Sequence, residues 1–412
     1  MTAARDDADE PLDLLVVGGG VMGLFTAYYA AVGGARVAVL ERGEIGDPAT
    51  ASYGRTRSYR KDYLDPLYVR LADEAVTLWT RFEQRTGVRA LVRCGCMNIA
   101  KASVTADLAD TYAERSAEML AAVGMPLTTL RADEITGRYP YLDADVAHLD
   151  PAAGLVDLRA VADALTGALA ECKVDVYEHA EPDAVRRGDD GLLHVDSSAG
   201  ELVARKLVIT AGHGTNDVLA LVPGADLQVP LTRDRPSEAK YFVPPANARA
   251  QFGSDAMPVI AYLDTGVYVH PIVDGVIDKV KVGYYNPPDI PRDRSGVRDI
   301  ADFVAQCMPG LADATYEDVH DVDQCDYDLV ADDDFVLGAV PGVADVFVGV
   351  GWRGTGYKFA PWIGRVLHEL ALQNGSVYDL RRFDPARFSV LAPSPDIAHP
   401  ATSFTAPEED AS

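Results

Sequence analysis

Basic residues are scarce in this chain: 37 Lys and Arg face 63 Asp and Glu, a formal net charge of -26. So acidic a surface repels phosphate backbones and anionic lipid, which argues against nucleic-acid and membrane partners. An anionic small molecule must then be drawn by a few local cations. Cysteine is scarce as well, and Cys94, Cys96, Cys172, Cys307 and Cys325 are odd in number and scattered. That excludes a disulfide framework and fits a reducing compartment. Cys94 and Cys96 lack a second ligand cluster, so no metal site is expected. No apolar run reaches membrane-spanning length, and the first ten residues are polar and acidic rather than a basic leader. We therefore expect a cytoplasmic protein. What is present is ordinary globular composition, 48% hydrophobic and 24% charged over 412 residues, enough for two domains with large cores.

The apolar run Asp13-Leu14-Leu15-Val16-Val17 leads into Gly18-Gly19-Gly20-Val21-Met22-Gly23, and a second run, Ala35 to Leu40, ends on Glu41. This spacing predicts a strand, a tight turn, a helix over Val21 to Ala31 and a second strand, the dinucleotide-binding unit. Gly18 bends the chain, Gly20 lets backbone approach a pyrophosphate and Gly23 lets the helix pack on the strand. The helix N-terminus faces the phosphates. Glu41 is placed to accept hydrogen bonds from ribose hydroxyls and to repel a 2'-phosphate, so FAD or NAD fits and NADP does not. The motif alone does not choose between flavin and nicotinamide.

Beyond this unit the spacing predicts helices over Pro66 to Arg85 and Ala106 to Val123, a helix over Leu158 to Glu171 and a strand over Val174 to Val176. A polar hairpin is expected around Gly188 to Gly191. The strand Lys206 to Thr210 then returns to a glycine turn at Ala211-Gly212. From Val229 to Tyr285 short alternating runs with Pro and Gly breaks predict an antiparallel sheet, followed by a helix over Gly296 to Cys307. The tail from 392 to 412, rich in Pro, Ser and Ala, is expected to be disordered.

The last third carries Gln324-Cys325-Asp326-Tyr327-Asp328-Leu329, then Asp332-Asp333-Asp334-Phe335, then Gly349-Val350-Gly351-Trp352-Arg353-Gly354-Thr355-Gly356-Tyr357-Lys358-Phe359. Together with Gly54-Arg55-Thr56-Arg57-Ser58-Tyr59-Arg60, these runs resemble the monomeric sarcosine oxidase family of amine-oxidising flavoenzymes. Its members include N-methyltryptophan oxidase, pipecolate oxidase and the imino acid oxidase of nikkomycin biosynthesis.

The resemblance implies FAD bound by Gly18, Gly20, Val21, Met22, Gly23, Glu41, Arg42, Tyr53, Thr56, Arg57, Ala211, Gly212, Gly354, Thr355, Gly356 and Lys358, with a thioether from Cys325 to the flavin 8α-methyl group. It implies that Arg60 and Lys358 hold a substrate carboxylate. Lys281 matches a lysine over the flavin ring that promotes electron transfer to oxygen, with Lys279 as rival candidate. Tyr268 matches a tyrosine beside the substrate amine, and Arg57 a residue stabilising the reduced flavin. The chain departs from the pattern at Tyr285, where small-substrate members carry histidine. It departs again at Arg353 and Thr355, and at Pro182, which has no N–H to offer adenine.

The implied architecture is α/β. A Rossmann-like FAD-binding domain (1-90, 150-225 and 321-391) is interleaved with a substrate domain (91-149 and 226-320) on a mainly antiparallel sheet with flanking helices. The implied activity is oxidation of a secondary-amine amino acid, N-methyl or cyclic, by hydride transfer to flavin N5. The products would be an imine and, with O2, hydrogen peroxide, the enzyme acting as a monomer. Two alternatives stay open: a flavin dehydrogenase of a cyclic amino acid such as pipecolate or proline, and a non-catalytic flavoprotein subunit.

Overall fold

The computed structural model describes residues 10–104, 107–234, 238–284, 297, 299–318 and 327–388. The run Leu14–Val17 is wholly buried and forms the middle of a six-stranded sheet. Its order is Val336–Ala339, Val346–Val350, Leu207–Ile209, Leu14–Val17, Val37–Leu40, Asp175–Tyr177. All neighbours are parallel except the first pair. Strands buried on both faces are continuous apolar runs, which is why Leu-Leu-Val-Val and Val-Ala-Val-Leu show no alternation. The helix Val21–Val32 follows the glycine turn and packs its Phe25 edge-on against Trp79, ring centroids 5.2 Å apart.

A second sheet has eight strands: Thr315–Asp318, Glu238–Val243, Val280–Tyr284, Val267–His270, Val259–Tyr262, Cys96–Ala100, Val146–Asp150 and Thr128–Arg131. Every pairing is antiparallel except Val259–Tyr262 with Cys96–Ala100. A short three-stranded sheet of Thr56–Tyr59, Gly154–Asp157 and Leu91–Val92 carries Arg57 and delivers the chain to Arg60.

Helices Pro66–Thr86 and Leu158–Glu171 fall where the apolar spacing put them. The strand expected over Val174 to Val176 runs one residue later, at Asp175–Tyr177. The helix expected from Ala106 is shorter at its start. Leu108–Asp110 is a single 3-10 turn, with Asp107 accepting the Ala109 N–H at 2.9 Å, and Thr111 then interrupts it with extended backbone. Ala106 lies outside the described residues, and the helix proper is Tyr112–Ala122. Likewise Ile300–Cys307 starts after the capping Asp299, while Gly296 and the tail beyond residue 388 lie outside the described residues.

Three consecutive acids, Asp332, Asp333 and Asp334, each meet an arginine: Arg387 at 2.5 Å, Arg353, and Arg382 at 2.6 Å. The Tyr68 hydroxyl donates to Asp334 at 3.0 Å. These pairs tie the segment before Val336–Ala339 to the helix Pro66–Thr86 and to the chain around residue 385.

The start of Tyr112–Ala122 depends on the second sheet. Asp264, in the turn after Val259–Tyr262, accepts the Tyr112 N–H at 2.8 Å through Oδ1, while its buried Oδ2 has no hydrogen-bond partner among the described residues. Burial pushes the Asp264 carboxyl up to about 6. The native state therefore holds this proton longer than the unfolded chain. Stability attributable to the group falls as pH rises from about 4, and the full penalty stands above about 6. Asp264→Asn keeps the acceptor for Tyr112 and removes the charge. Thermal melts should show it more stable than the parent at neutral pH, by at most about 3 kcal/mol, and nearly equal near pH 4. A variant less stable at both pH values refutes this reading.

Candidate active site

The glycine turn is built by close contacts. A Cβ on Gly23 would lie 1.9 Å from the Gly18 carbonyl oxygen, and one on Gly18, whose φ is +107°, would lie 2.5 Å from the Thr210 carbonyl oxygen. Side chains at either position would push the first helix off its strand. Gly20 differs, because its missing side chain leaves space only 3.2 Å from Ser52 Oγ. That hydroxyl accepts the first helical N–H, from Val21, at 2.9 Å. Glu41 accepts the Gly19 N–H at 2.6 Å and the Gly43 N–H at 2.8 Å, one on each oxygen, so its carboxylate is fixed in place.

These groups line a cavity of about 430 Å3. Gly18, Gly20, Val21, Met22, Glu41, Arg42, Ala211 and Gly212 all face it, and so do Gly354 and Gly356 from the other end of the chain. Pro182 also lines it, beside Ala180, whose N–H donates to the Glu41 carbonyl at 2.8 Å. A glycine cradle, the start of a helix whose N-cap Gly20 brings no side chain, and a rigid acid suit a pyrophosphate and an adenosine ribose. The residues fit FAD.

A second cavity of about 80 Å3 adjoins the first, and Arg57, Tyr327, Gly354 and Tyr357 line both. Its remaining walls include Arg60, Thr355 and Lys358, and with them Val259, Ala261, Leu263, Tyr268 and His270. Alternation along a strand explains the second group: residues two apart share a face, so Val259 and Ala261 come together, as do Tyr268 and His270.

The sequence candidates sort accordingly. Arg57, Arg60, Thr355, Lys358 and Tyr268 meet at the smaller cavity. Lys281 is fully buried behind it, its ammonium 5.4 Å from the Tyr268 ring centre. Lys279 lies just before the strand Val280–Tyr284 and is only half-buried, which favours Lys281 of the two. Gly23 lines neither cavity, as expected of a packing glycine. Thr56 and Tyr53 also line neither: Thr56 Oγ1 sits 2.9 Å from His270 Nδ1, and the Tyr53 carbonyl accepts from Arg57 at 2.8 Å. In this structure the two residues hold the cavity walls instead of facing the space. Cys325 and Tyr285 lie outside the described residues.

Sequence reasoning passed over several neighbours. Asp62 forms an ion pair with Arg60 at 2.9 Å, and its second oxygen accepts from Asn98 at 3.0 Å. Burial opposes the Arg60 charge, but Asp62, Tyr63 and Tyr112 together outweigh it and keep the guanidinium protonated. His270 could have been found from its spacing of two from Tyr268. Tyr327 was present in the quoted run, as was Asp328, a buried carboxyl on the larger cavity. Asp328 accepts the Gly351 N–H at 3.0 Å and is pushed up to about 7 by burial.

Lys358 is buried and donates to the Thr355 carbonyl at 2.9 Å. Burial, with the Arg60 guanidinium beside it, holds its ammonium well below the usual lysine range. The backbone of the same residue is pinned, because the Trp79 indole N–H donates to the Lys358 carbonyl at 2.8 Å.

A family model described as FAD dependent oxidoreductase matches residues 13–370. Monomeric sarcosine oxidase of Streptomyces avermitilis is 27% identical over 393 residues, covering 92% of this chain and 98% of that protein. Peroxisomal sarcosine oxidase of Homo sapiens is 26% identical over 403 residues, covering 92% and 97%. Among solved structures, the L-proline dehydrogenase from P. horikoshii superposes with a TM-score of 0.73 at 18% identity, covering 92% of this chain and 98% of its own. An amino acid oxidase essential for nikkomycin biosynthesis superposes with a TM-score of 0.70 at 21% identity, covering 91% and 98%.

The two glycines should separate in experiment. Gly23→Ala, by forcing the helix off Gly18, should destabilise the flavin-free chain by about 3 kcal/mol. Gly20→Ala should change its melting by less than about 1 kcal/mol yet lower the flavin content of purified protein. Full flavin retention in Gly20→Ala would remove the cradle assignment.

Proposed function

The chain belongs to the FAD dependent oxidoreductases, and on that premise we propose that it oxidises an amino acid whose nitrogen is a secondary amine, N-methyl or cyclic. It is an FAD-dependent amine or amino acid oxidoreductase. The finer reading is supported above all by the smaller cavity, where Arg60 and Lys358 meet Tyr268 and His270 beside the larger one.

FAD, when bound, supplies the two-electron acceptor. The protein's residues do the rest. A carboxylate between the Arg60 guanidinium and the Lys358 amine fixes the substrate in register. The apolar strip of Val259, Ala261 and Leu263 takes its carbon skeleton and excludes water. Tyr268 and His270 face the nitrogen side, His270 held by Thr56. Arg57, touching both cavities, is the cation we assign to the charge that develops at the cofactor end. Lys281 is assigned to favour reduction of O2 to hydrogen peroxide. The cofactor is assigned to segments 1-90, 150-225 and 321-391 and the substrate to 91-149 and 226-320. The strands of the six-stranded sheet fall within the former, and those of the eight-stranded sheet fall almost entirely within the latter. Cys325 is assigned as a covalent tether to the flavin.

Anaerobic mixing with N-methyl and cyclic amino acids should bleach the flavin absorbance, and air should restore it with formation of peroxide. Bleaching by a cyclic amino acid with no recovery in air would show a dehydrogenase. No bleaching by any amino acid would overturn the proposal. Separately, acid precipitation should leave flavin on the parent protein and release it from Cys325→Ala. Release from the parent refutes the tether.

A further inference from the structure

Lys358 is buried, and among the described residues no carboxylate is paired with it. Among the described residues its amine reaches one acceptor, the Thr355 carbonyl at 2.9 Å, and the ring centres of Tyr63 and Phe359 lie 5.7 and 5.6 Å away. Asp62, the carboxylate that favours the Lys358 charge, is paired with Arg60, and Arg353 is paired with Asp333. Among the described residues no carboxylate lies within ion-pair distance of Lys358.

The other groups facing it do not help. Arg60, from the segment after Thr56–Tyr59, and Arg353, from the glycine loop, both repel an ammonium. Cys96 from the eight-stranded sheet, Tyr63 beside Arg60 and Tyr112 from its helix are all pushed up by burial and stay protonated and neutral. Arg57, Tyr268 and His270 also line the cavity. An unpaired ammonium in such a place is costly, and a lysine there sheds its proton instead.

We infer that Lys358 meets the substrate as a neutral amine and accepts the proton carried by the substrate's ammonium group, becoming the cation that pairs with the substrate carboxylate. This rests on the amino-acid reading of the smaller cavity. In the step an N–H bond of the substrate ammonium breaks and an N–H bond forms on Lys358 Nζ. No electrons change hands, and no proton is exchanged with solvent. An amino acid in water is a zwitterion, and only its neutral amine has the lone pair that lets the adjacent carbon give up hydride. One residue thus both binds and activates. The carboxylate supplies the missing negative charge, so the transfer is favoured only when a carboxylate and an ammonium arrive on one molecule.

The test is calorimetric and uses the full, flavin-loaded protein at about pH 8, where free lysine is charged and free carboxylates are ionised. Binding heats in two buffers of different ionisation enthalpy give the protons taken up. (Methylthio)acetate, which has a carboxylate and no amine, should bind with uptake of about one proton per site. 2-Aminoisobutyrate, which has no C–H next to its nitrogen and cannot be oxidised there, should bind with almost none. Lys358→Arg, always charged, should bind (methylthio)acetate without uptake, and Lys358→Met should bind it more weakly and also without uptake. An unchanged flavin spectrum reports that each variant is folded. (Methylthio)acetate bound by the parent without proton uptake would overturn the inference. If neither compound binds the parent, the amino-acid reading fails, and this inference with it.

Discussion

Arg60 and Arg353 both act on Lys358, and each of the two arginines has a carboxylate of its own. Asp62 holds Arg60 and Asp333 holds Arg353, and Lys358 is left with a backbone carbonyl. Each pairing constrains the next. Asp62 helps to keep Arg60 charged, the charged Arg60 bears on Lys358, and Lys358 is fixed through the Trp79 bond to its own carbonyl. Cations gathered at one cavity can draw an anion without a large basic surface, which suits a chain whose formal net charge is -26. The recognition chemistry is local because in a dry cavity a single unpaired charge outweighs a distant screened field.

The rest of the fold serves to bring these cations against the cofactor cavity. The six-stranded sheet presents the Gly18 turn and Glu41 at the same edge as Ala211 and Gly212, because Leu14–Val17 and Leu207–Ile209 are parallel neighbours. The eight-stranded sheet presents Val259, Ala261, Tyr268 and His270 on one face. The glycine loop from Gly351 to Gly356 joins the two. Asp328 holds its first N–H, Arg353 is tied to Asp333, and Gly354 lies against Tyr327, where a Cβ would come within 2.8 Å of the ring. Lys358 follows that loop by two residues, and its own carbonyl is held by Trp79.

Much of this was legible in the sequence. The fingerprint, Glu41, the helices from Pro66 and Leu158, and the convergence of Arg57, Arg60, Tyr268, Lys281 and Lys358 follow from spacing or from the family resemblance. What could not be read was who partners whom. Asp62 lies two residues from Arg60 yet reads as one more acid in an acidic chain, and Asp264 meets Tyr112 across 152 positions. Thr56 and Tyr53 stand beside the cavities without lining them, and local sequence does not tell whether a side chain faces a cavity or supports its wall. The helix expected from Ala106 begins only at Tyr112, because apolar spacing continues through Thr111, where a capping hydroxyl outcompetes helical backbone. Pairing and capping depend on three-dimensional neighbours, and one-dimensional periodicity carries only faces.

The acidic surface and the charge-deficient cavity act on different molecules. A zwitterion has no net charge, so the surplus of acids does not repel it at a distance, whereas a plain carboxylate meets an unfavourable field before it reaches Arg60. Inside, the order reverses. A plain carboxylate needs Lys358 to take a proton from water, while a zwitterion brings its own. Both steps favour amino acids over the simple carboxylic acids that Arg60 and Lys358 would otherwise bind. Selectivity of this kind needs no contact to the substrate's side chain, which leaves the apolar strip of Val259, Ala261 and Leu263 to choose among amino acids by shape alone.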